Sequence, residues 1–315
     1  MIQLIVQRCL LSLVTVFVVT VIVFSLVRVI PGDPAVQLLG ESYTKEQAEV
    51  IHERLGLNRP YLEQYFRWMA DLARGDLGTS LLPNQQPVGP QILDRMEPTL
   101  LLMVTTIVTA VIIGIPIGVL AALRQNTWID YVLRSVSIFG LSVPGFYLAT
   151  QILGLLAKEW QWIPPIGWVG VTDNPWEAFR RLWMPALILS LATGAQIMRM
   201  SRSMMLEVMR QDYIRTAWAK GLQERKIVVR HALRNAMLPV VTIIGLTVAF
   251  LVGGTVIFES LFGLPGMGTY MINSVIARDY VAVQSITVVF AIGVVLVNLL
   301  VDIGYVLLDP RLRGS

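Results

Sequence analysis

Six runs of this sequence contain no Asp, Glu, Lys, Arg or His: residues 9–27, 99–123, 135–157, 182–198, 236–258 and 280–301. Their lengths are 19, 25, 23, 17, 23 and 22 residues, where a helix needs ~20 to cross the hydrocarbon core of a bilayer. Runs of this kind predict transmembrane helices. The fourth contains Pro185, which leaves its ends the least defined. Composition agrees: 55% of the 315 residues are hydrophobic and 15% charged, against about 25% charged in soluble domains. Mean hydropathy is +0.65. A cleaved signal peptide would carry a shorter apolar core of about 7–15 residues, so residues 9–27, followed by RVIPGDP, read as a retained span.

Sidedness follows from Lys and Arg in the short loops, which mark the cytoplasmic face. With six spans, one alternating set of loops holds fourteen such residues, nine of them between Arg199 and Arg234. The other set's short loops hold four: Lys158, Arg180, Arg181 and Arg278. Both termini and residues 199–235 are therefore expected inside. The long loop 31–98 is expected outside and carries a net charge of −4, whereas 199–235 carries +6.

The outer loop has helical signals of its own. Thr44 and Gln47 have capping-box spacing, and Gly56 can end the helix they begin. Pro60 opens a second helix, with Tyr61, Leu62, Tyr65, Phe66, Met69 and Leu72 as its apolar stripe and Gly75 as its end. Such helices serve either as a cover lying on the membrane or as a docking surface for an external protein.

Much chemistry is absent. There is no GxxxxGK[ST] loop to cradle a nucleotide and no HExxH, and GLSVP at 140–144 fails the GxSxG pattern. The single cysteine, Cys9, permits no internal disulfide. His52 and His231 fall on opposite sides of the predicted topology, so no metal site and no cofactor is expected. Charged residues within spans mark proton relays. The nearest case is Asp302, four residues after Asn298, a spacing that suits a helix-end cap. The spans do hold Gly114, Pro116, Gly118, Pro144, Pro185 and Gly245 among other helix-bending or close-packing residues. An uncharged, flexible bundle of this kind reads as a pathway driven from elsewhere.

One insert stands out between the fourth and fifth runs: DYIRTAWAKGL, residues 212–222. Asp212 is a candidate N-cap, and Gly221 can take the left-handed geometry that ends a helix of about two turns. Tyr213, Thr216, Ala217 and Lys220 share one face, and the small Ala217 and Gly221 permit close approach by another surface. So short a helix is unstable alone. It needs the protein's own helices, a lipid surface or another protein to dock against.

The insert, followed by HALRNAMLP at 231–239, resembles the cytoplasmic EAA loop of ABC-importer permeases of the dipeptide/oligopeptide/nickel subfamily. The resemblance runs along nearly the whole chain: PGDP at 31–34, LGLNRPYLEQY at 55–65, GDLGTS at 75–80, PTLLL at 98–102 and RMSRSMMLEV at 199–208. It continues through ESLFGLPGMG at 259–268, RDYVAVQ at 278–284 and DPRLR at 309–313. The short N-terminus and DPRLR ending look like the B-type subunit. Two departures from the general motif stand out: Arg215 replaces its Glu and Thr216 its first Ala, so the role of that Glu does not transfer to Arg215.

The resemblance implies an all-α integral membrane protein with six transmembrane helices and the type I ABC importer permease fold. Its expected divisions are 1–30 with the first span, 31–98 as extracytoplasmic loop, and 99–315 as a five-helix core carrying the coupling loop 199–235. The implied partners are a homologous C-type permease, two cytoplasmic ATP-binding subunits that grip Asp212, Tyr213, Thr216, Ala217, Lys220 and Gly221, and an extracytoplasmic solute-binding protein. The chain itself is expected to be non-enzymatic. Peptides are the implied cargo, with nickel chelates, glutathione, opines or oligosaccharides as alternatives. A self-sufficient channel or secondary carrier is the distant alternative. No residue of the substrate path is assigned.

Overall fold

The computed structural model describes residues 2–29, 44–54, 56–82 and 84–308. They form helices α1 (Ile2–Val29), α2 (Lys45–Arg54), α3 (Tyr61–Ala73), α4 (Val88–Leu123), α5 (Trp128–Ser142), α6 (Gly145–Trp160), α7 (Pro175–Met209) and α8 (Asp212–Ala219). A single turn, α9 (Glu224–Lys226), then leads through the π-helical segment Ile227–Leu233 into α10 (Arg234–Phe262), followed by α11 (Met267–Ile276) and α12 (Tyr280–Leu308). PGDP and DPRLR lie outside the described residues, as do the side chains of Gln47 and Asp302 and with them the predicted capping box and the Asn298–Asp302 pair.

Among the described residues, four helices are long and apolar enough to cross a membrane: Val6–Leu26 within α1, Val88–Leu123, Glu224–Phe262 and Tyr280–Val301. The run 135–157, expected as one span, is broken within it. Helices α5 and α6 meet at 95°, and counting the bent pair as one crossing gives five. The break has a local cause. Pro144 disfavours helical geometry in the residue before it, and Val143 is extended, with φ −95° and ψ 123°. The run 182–198 forms the middle of the 35-residue α7, whose charged ends dilute its apolar character. Asn174 caps α7 by accepting from the Glu177 amide at 3.2 Å, with Pro175 in the first turn, where it lacks no needed donor.

The centre of the fold is the pairing of α4 with α7, the most extensive helix contact in the molecule. Glycine permits it. A Cβ on Gly114 would lie 2.7 Å from the Gly194 carbonyl oxygen, and one on Gly118 would lie 2.6 Å from that of Met198. These two glycines, four apart on one face, let the backbones approach as small-xxx-small pairs do in membranes. Helix α10 packs on α7 beside this pair, and α12 packs against α1 and α10.

Helix α3 folds back along the second half of α1. Tyr65 and Thr20 share a hydrogen bond of 2.9 Å, Tyr61 and Ser25 one of 2.6 Å, and Phe24 sits among Tyr61, Tyr65 and Trp68. Of the predicted stripe, Tyr65 is buried and Met69 and Leu72 are half-buried, but Leu62 and Phe66 point outward. Trp68 takes the place expected for them.

The 36 residues of α4 span about 54 Å at ~1.5 Å per residue. Its first turns pack with Leu77, Met267, Ala282 and Ile286, whereas its last turns, at Val119 and Ala122, pack with Ile214 and Ala217 of α8. The two ends of the bundle are therefore distinct places.

Candidate functional site

Helix α8 sits at the second of these ends, and its first residue is Asp212. Asp212 is not the cap. Gln211 occupies that position with extended backbone and no side-chain hydrogen bond, so Asp212 contributes only a negative charge in the first turn. Its nearly fully exposed side chain pairs with Arg215 at 3.5 Å, a contact of little energetic weight at the surface.

The other end of α8 is as the sequence predicts. Gly221 has φ +74°, the left-handed region. The Leu222 amide donates to the Ala217 carbonyl at 3.3 Å and the Gly221 amide to that of Trp218 at 2.9 Å. These are the two bonds of a Schellman motif, which satisfies the last carbonyls of the helix. Leu222 then turns back onto the apolar cluster beneath.

That cluster decides which face of α8 is free. Ile214 and Ala217 are buried with Met205, Ile227, Val228, Ala232 and Ala236. The face expected to hold Tyr213, Thr216, Ala217 and Lys220 together is therefore divided. Ala217 belongs to the anchor, because its small side chain lets α8 lie flat on the protein's own helices. Tyr213, Thr216, Lys220 and Gly221 remain exposed, with Trp218 and Arg215 beside them. Tyr213 is tied down at one point, since Asn235 donates to its hydroxyl at 3.0 Å.

Three buried acidic groups are not singled out by the sequence, although Glu259 and Asp279 lie within the stretches ESLFGLPGMG and RDYVAVQ. Near α8, Arg202 grips Asp130 with two hydrogen bonds of 2.7 Å, and the Asn126 amide donates to the same carboxylate at 3.1 Å. Arg202 lies one turn before Met205, which underlies α8. At the opposite end, Glu259 accepts from the Thr99 hydroxyl at 2.6 Å and from the Thr269 amide at 3.0 Å, which joins PTLLL to ESLFGLPGMG. Asp279 accepts from the Ser80 hydroxyl at 2.5 Å and the Leu81 amide at 3.1 Å, which joins RDYVAVQ to GDLGTS. It also caps α12 through the Ala282 amide at 3.3 Å. Each motif pair is at least 70 residues apart in sequence, and no periodicity links them.

Among the described residues no cluster of His, Cys, Asp and Glu could hold a metal. Of the polar side chains within the spans, Thr106 is buried with its hydroxyl unpartnered among the described residues, and Gln151 and Asn298 are exposed.

A helical bundle with four or five candidate membrane crossings among the described residues, built on a close α4–α7 pair and presenting a short helix at one end, defines a multi-pass membrane protein. The chain belongs to the family described as binding-protein-dependent transport system inner membrane component, matched over residues 114–314, and residues 1–103 match the N-terminal part of such membrane components. It is 39% identical over 328 residues to the dipeptide transport system permease protein DppB of Alkalihalophilus pseudofirmus, covering 98% of both chains. It is 37% identical over 311 residues to the oligopeptide transport system permease protein AppB of Bacillus subtilis, again covering 98% of both. The glutathione transport system permease protein GsiC of Escherichia coli K12 is 35% identical over 313 residues, with 99% of both chains covered. In structure, a chain of the MetNI methionine ABC transporter in an inward-facing conformation superposes with a TM-score of 0.58, at 18% identity, over 70% of this chain and 96% of that one. That likeness speaks for the fold.

Proposed function

We propose that this chain is a permease subunit of an ATP-driven importer of di- or oligopeptides, and that α8 is the helix through which ATP hydrolysis on separate subunits drives it. The observation that carries the reading is the split of α8 into an anchored and a free face. Ile214, Ala217 and Leu222 fasten the helix to the ends of α4 and α7, while Tyr213, Thr216, Lys220 and Gly221 are left for a partner. A motor pushing on that free face would act directly on the helix pair with the most extensive contact among the described residues. The chain has no nucleotide loop of its own, which supports cytoplasmic ATP-binding partners.

On this reading the crossings are α1, α4, the bent pair α5–α6, α7, the π-to-α10 helix and α12, with both termini in the cytoplasm. The packing of α7 along α4 supports its counting as a crossing despite its charged ends. The segment 1–30 carries the first span, 31–98 faces outward, and 99–315 is the core that pairs with a homologous C-type subunit. A solute-binding protein delivers the cargo to the outward side. The peptide reading rests on relatives named for dipeptide and oligopeptide transport. Glutathione, itself a tripeptide, is the second reading and rests on the GsiC relative.

Gly221→Val tests the role of α8. A β-branched residue in left-handed geometry costs roughly 1–2 kcal/mol or more and would unwind the Schellman end. Peptide uptake by the assembled transporter is expected to fall at least about tenfold, with membrane insertion unchanged. Normal uptake by that variant would remove the docking role. Flux through liposomes holding this chain alone under an ion gradient would instead favour a self-sufficient carrier. The cargo is decided by which ligand raises the melting temperature of the partner binding protein, because binding to the folded state stabilises it by mass action.

A further inference from the structure

Helix α5 is fastened to the bundle through polar groups. Its two buried side chains are Asp130 and Ser137, and both bond to α7. Asp130 receives the Arg202 fork, and the Ser137 hydroxyl donates to the Ala195 carbonyl at 3.0 Å. Gly140 continues the same face, where an added Cβ would lie 3.4 Å from both the Ala195 Cβ and the Leu191 carbonyl oxygen. The apolar residues Val132, Val136, Ile138 and Phe139 are exposed. In a bilayer, lipid competes for such side chains as well as another helix does, so apolar contacts resist sliding only weakly. Two parallel N–H···O bonds fix distance and direction together. If α7 moved along its axis by one residue, about 1.5 Å, the fork would break unless α5 followed.

The clasp sits at a junction. Within residues 201–205, α7 meets three other helices. A Cβ on Gly118 of α4 would lie 2.8 Å from the Ser201 Cβ and 3.2 Å from the Arg202 amide nitrogen. Arg202 holds α5 through Asp130, and Met205, one turn on, is buried against Ile214 and Ala217 of α8. Stability alone does not explain the pair, because buried ion pairs are often no more stabilising than apolar residues of similar volume. What the fork adds is a fixed register between α5 and α7. Coupling between separate sites is carried by contiguous packed and hydrogen-bonded groups, and here such a set leads from α8 to α5.

We propose that Asp130 is a positioning residue for transport. It ties α5 to Arg202, so that a displacement of α8 carries through Met205 and Arg202 into α5 and on to the 95° bend at Val143 and Pro144. The inference rests on the reading of α8 as the driven helix and extends it, naming how the stroke reaches a crossing beyond the α4–α7 pair. Two amides flank the bend and report on it. That of Val143 donates to the Phe139 carbonyl at 3.1 Å, and that of Tyr147 to the Pro144 carbonyl at 3.0 Å.

The test reads amide hydrogen exchange, which follows local opening, in the assembled transporter in nanodiscs. It compares the nucleotide-free state with ATP plus vanadate, which halts the hydrolysis cycle. In the wild type, trapping is expected to change exchange in two places, at residues 212–222 and at the Val143 and Tyr147 amides. Asp130→Asn keeps the shape of the side chain and removes its charge. The change at 212–222 is expected to remain and the change at the bend to be lost. Arg202→Lys keeps the charge and loses the fork, so the same split is expected, and it decides the matter if Asp130→Asn does not assemble. Ser137→Ala removes the other polar tie of α5 and is expected to keep both changes, which a general loosening of α5 would not. Three results would overturn the proposal: no change at the bend in the wild type, a change there that survives in the Asp130 and Arg202 variants, or its equal loss in Ser137→Ala. No change at 212–222 in the wild type would overturn the reading of α8 itself, and the route with it.

Discussion

Arg202 meets Asp130 with two parallel N–H groups at 2.7 Å each, the fork-to-carboxylate geometry that a lysine cannot reproduce. Asp130 is fully buried, and Arg202 has only 17% of its side chain exposed. Cutting the pair strands a carboxylate. Arg202→Lys is therefore expected to destabilise the chain by about 2 kcal/mol, read as a lower melting temperature in detergent. A double-mutant cycle of Asp130→Ala with Arg202→Ala should show coupling, and additive losses would mean that the two act independently. Neither residue was legible in the sequence as a partner of the other, since they are 72 positions apart. Gly221 was legible, because a single residue's freedom to adopt φ +74° is a local property. Asp212 shows how local reading goes astray. Its residue type suits a cap, but the chain enters the helix one residue earlier, at Gln211.

At the scale of elements, identical residues in two helices have opposite consequences. Gly118 on α4 faces the Met198 carbonyl and Ser201, with room for no further atom, whereas Gly253 on α10 has nothing within 4 Å of an added Cβ. Gly118→Ala should cost about 1–3 kcal/mol through overpacking. Gly253→Ala should stabilise the isolated chain by roughly 0.5–1 kcal/mol, because alanine loses less backbone freedom in a helix. Thermal unfolding of the two variants in the same detergent checks the contrast in sign. Gly118 was visible in the sequence as permissive of close contact, but only packing shows that it uses that freedom. The same holds for α8. Its two turns and its glycine end follow from residues 212–222, but the division into anchor and free face depends on Met205, Ile227 and Val228 lying beneath it. The π-helical segment Ile227–Leu233 had no signal at all. Its wider turn brings Ile227, Val228 and Ala232 onto the anchor together.

Across the whole molecule, the two ends of α4 pack against different elements, and the far end is held by Asp279. That carboxylate fastens the loop at Ser80 and Leu81 to the start of α12 while capping the helix. Asp279→Ala should free the Ser80 hydroxyl and the Leu81 amide together. Faster hydrogen exchange across residues 78–82 is expected, with exchange in α8 unchanged, and unaltered exchange in that loop would show that Asp279 does not hold it. What the sequence determined by itself is the helical membrane class, the placement of most crossings, the short helix of the insert and the family to which the chain belongs. These follow from hydrophobic run length, from glycine and proline backbone limits and from local motifs, all of which act over a few neighbouring residues. Only the tertiary structure decided that Ala217 faces inward, and that Glu259, Asp279 and Asp130 find partners at Thr99, Ser80 and Arg202. Those outcomes depend on which distant surfaces meet. A buried polar group takes whatever donor the packing brings within reach, and nothing in its own stretch of chain says which one that will be.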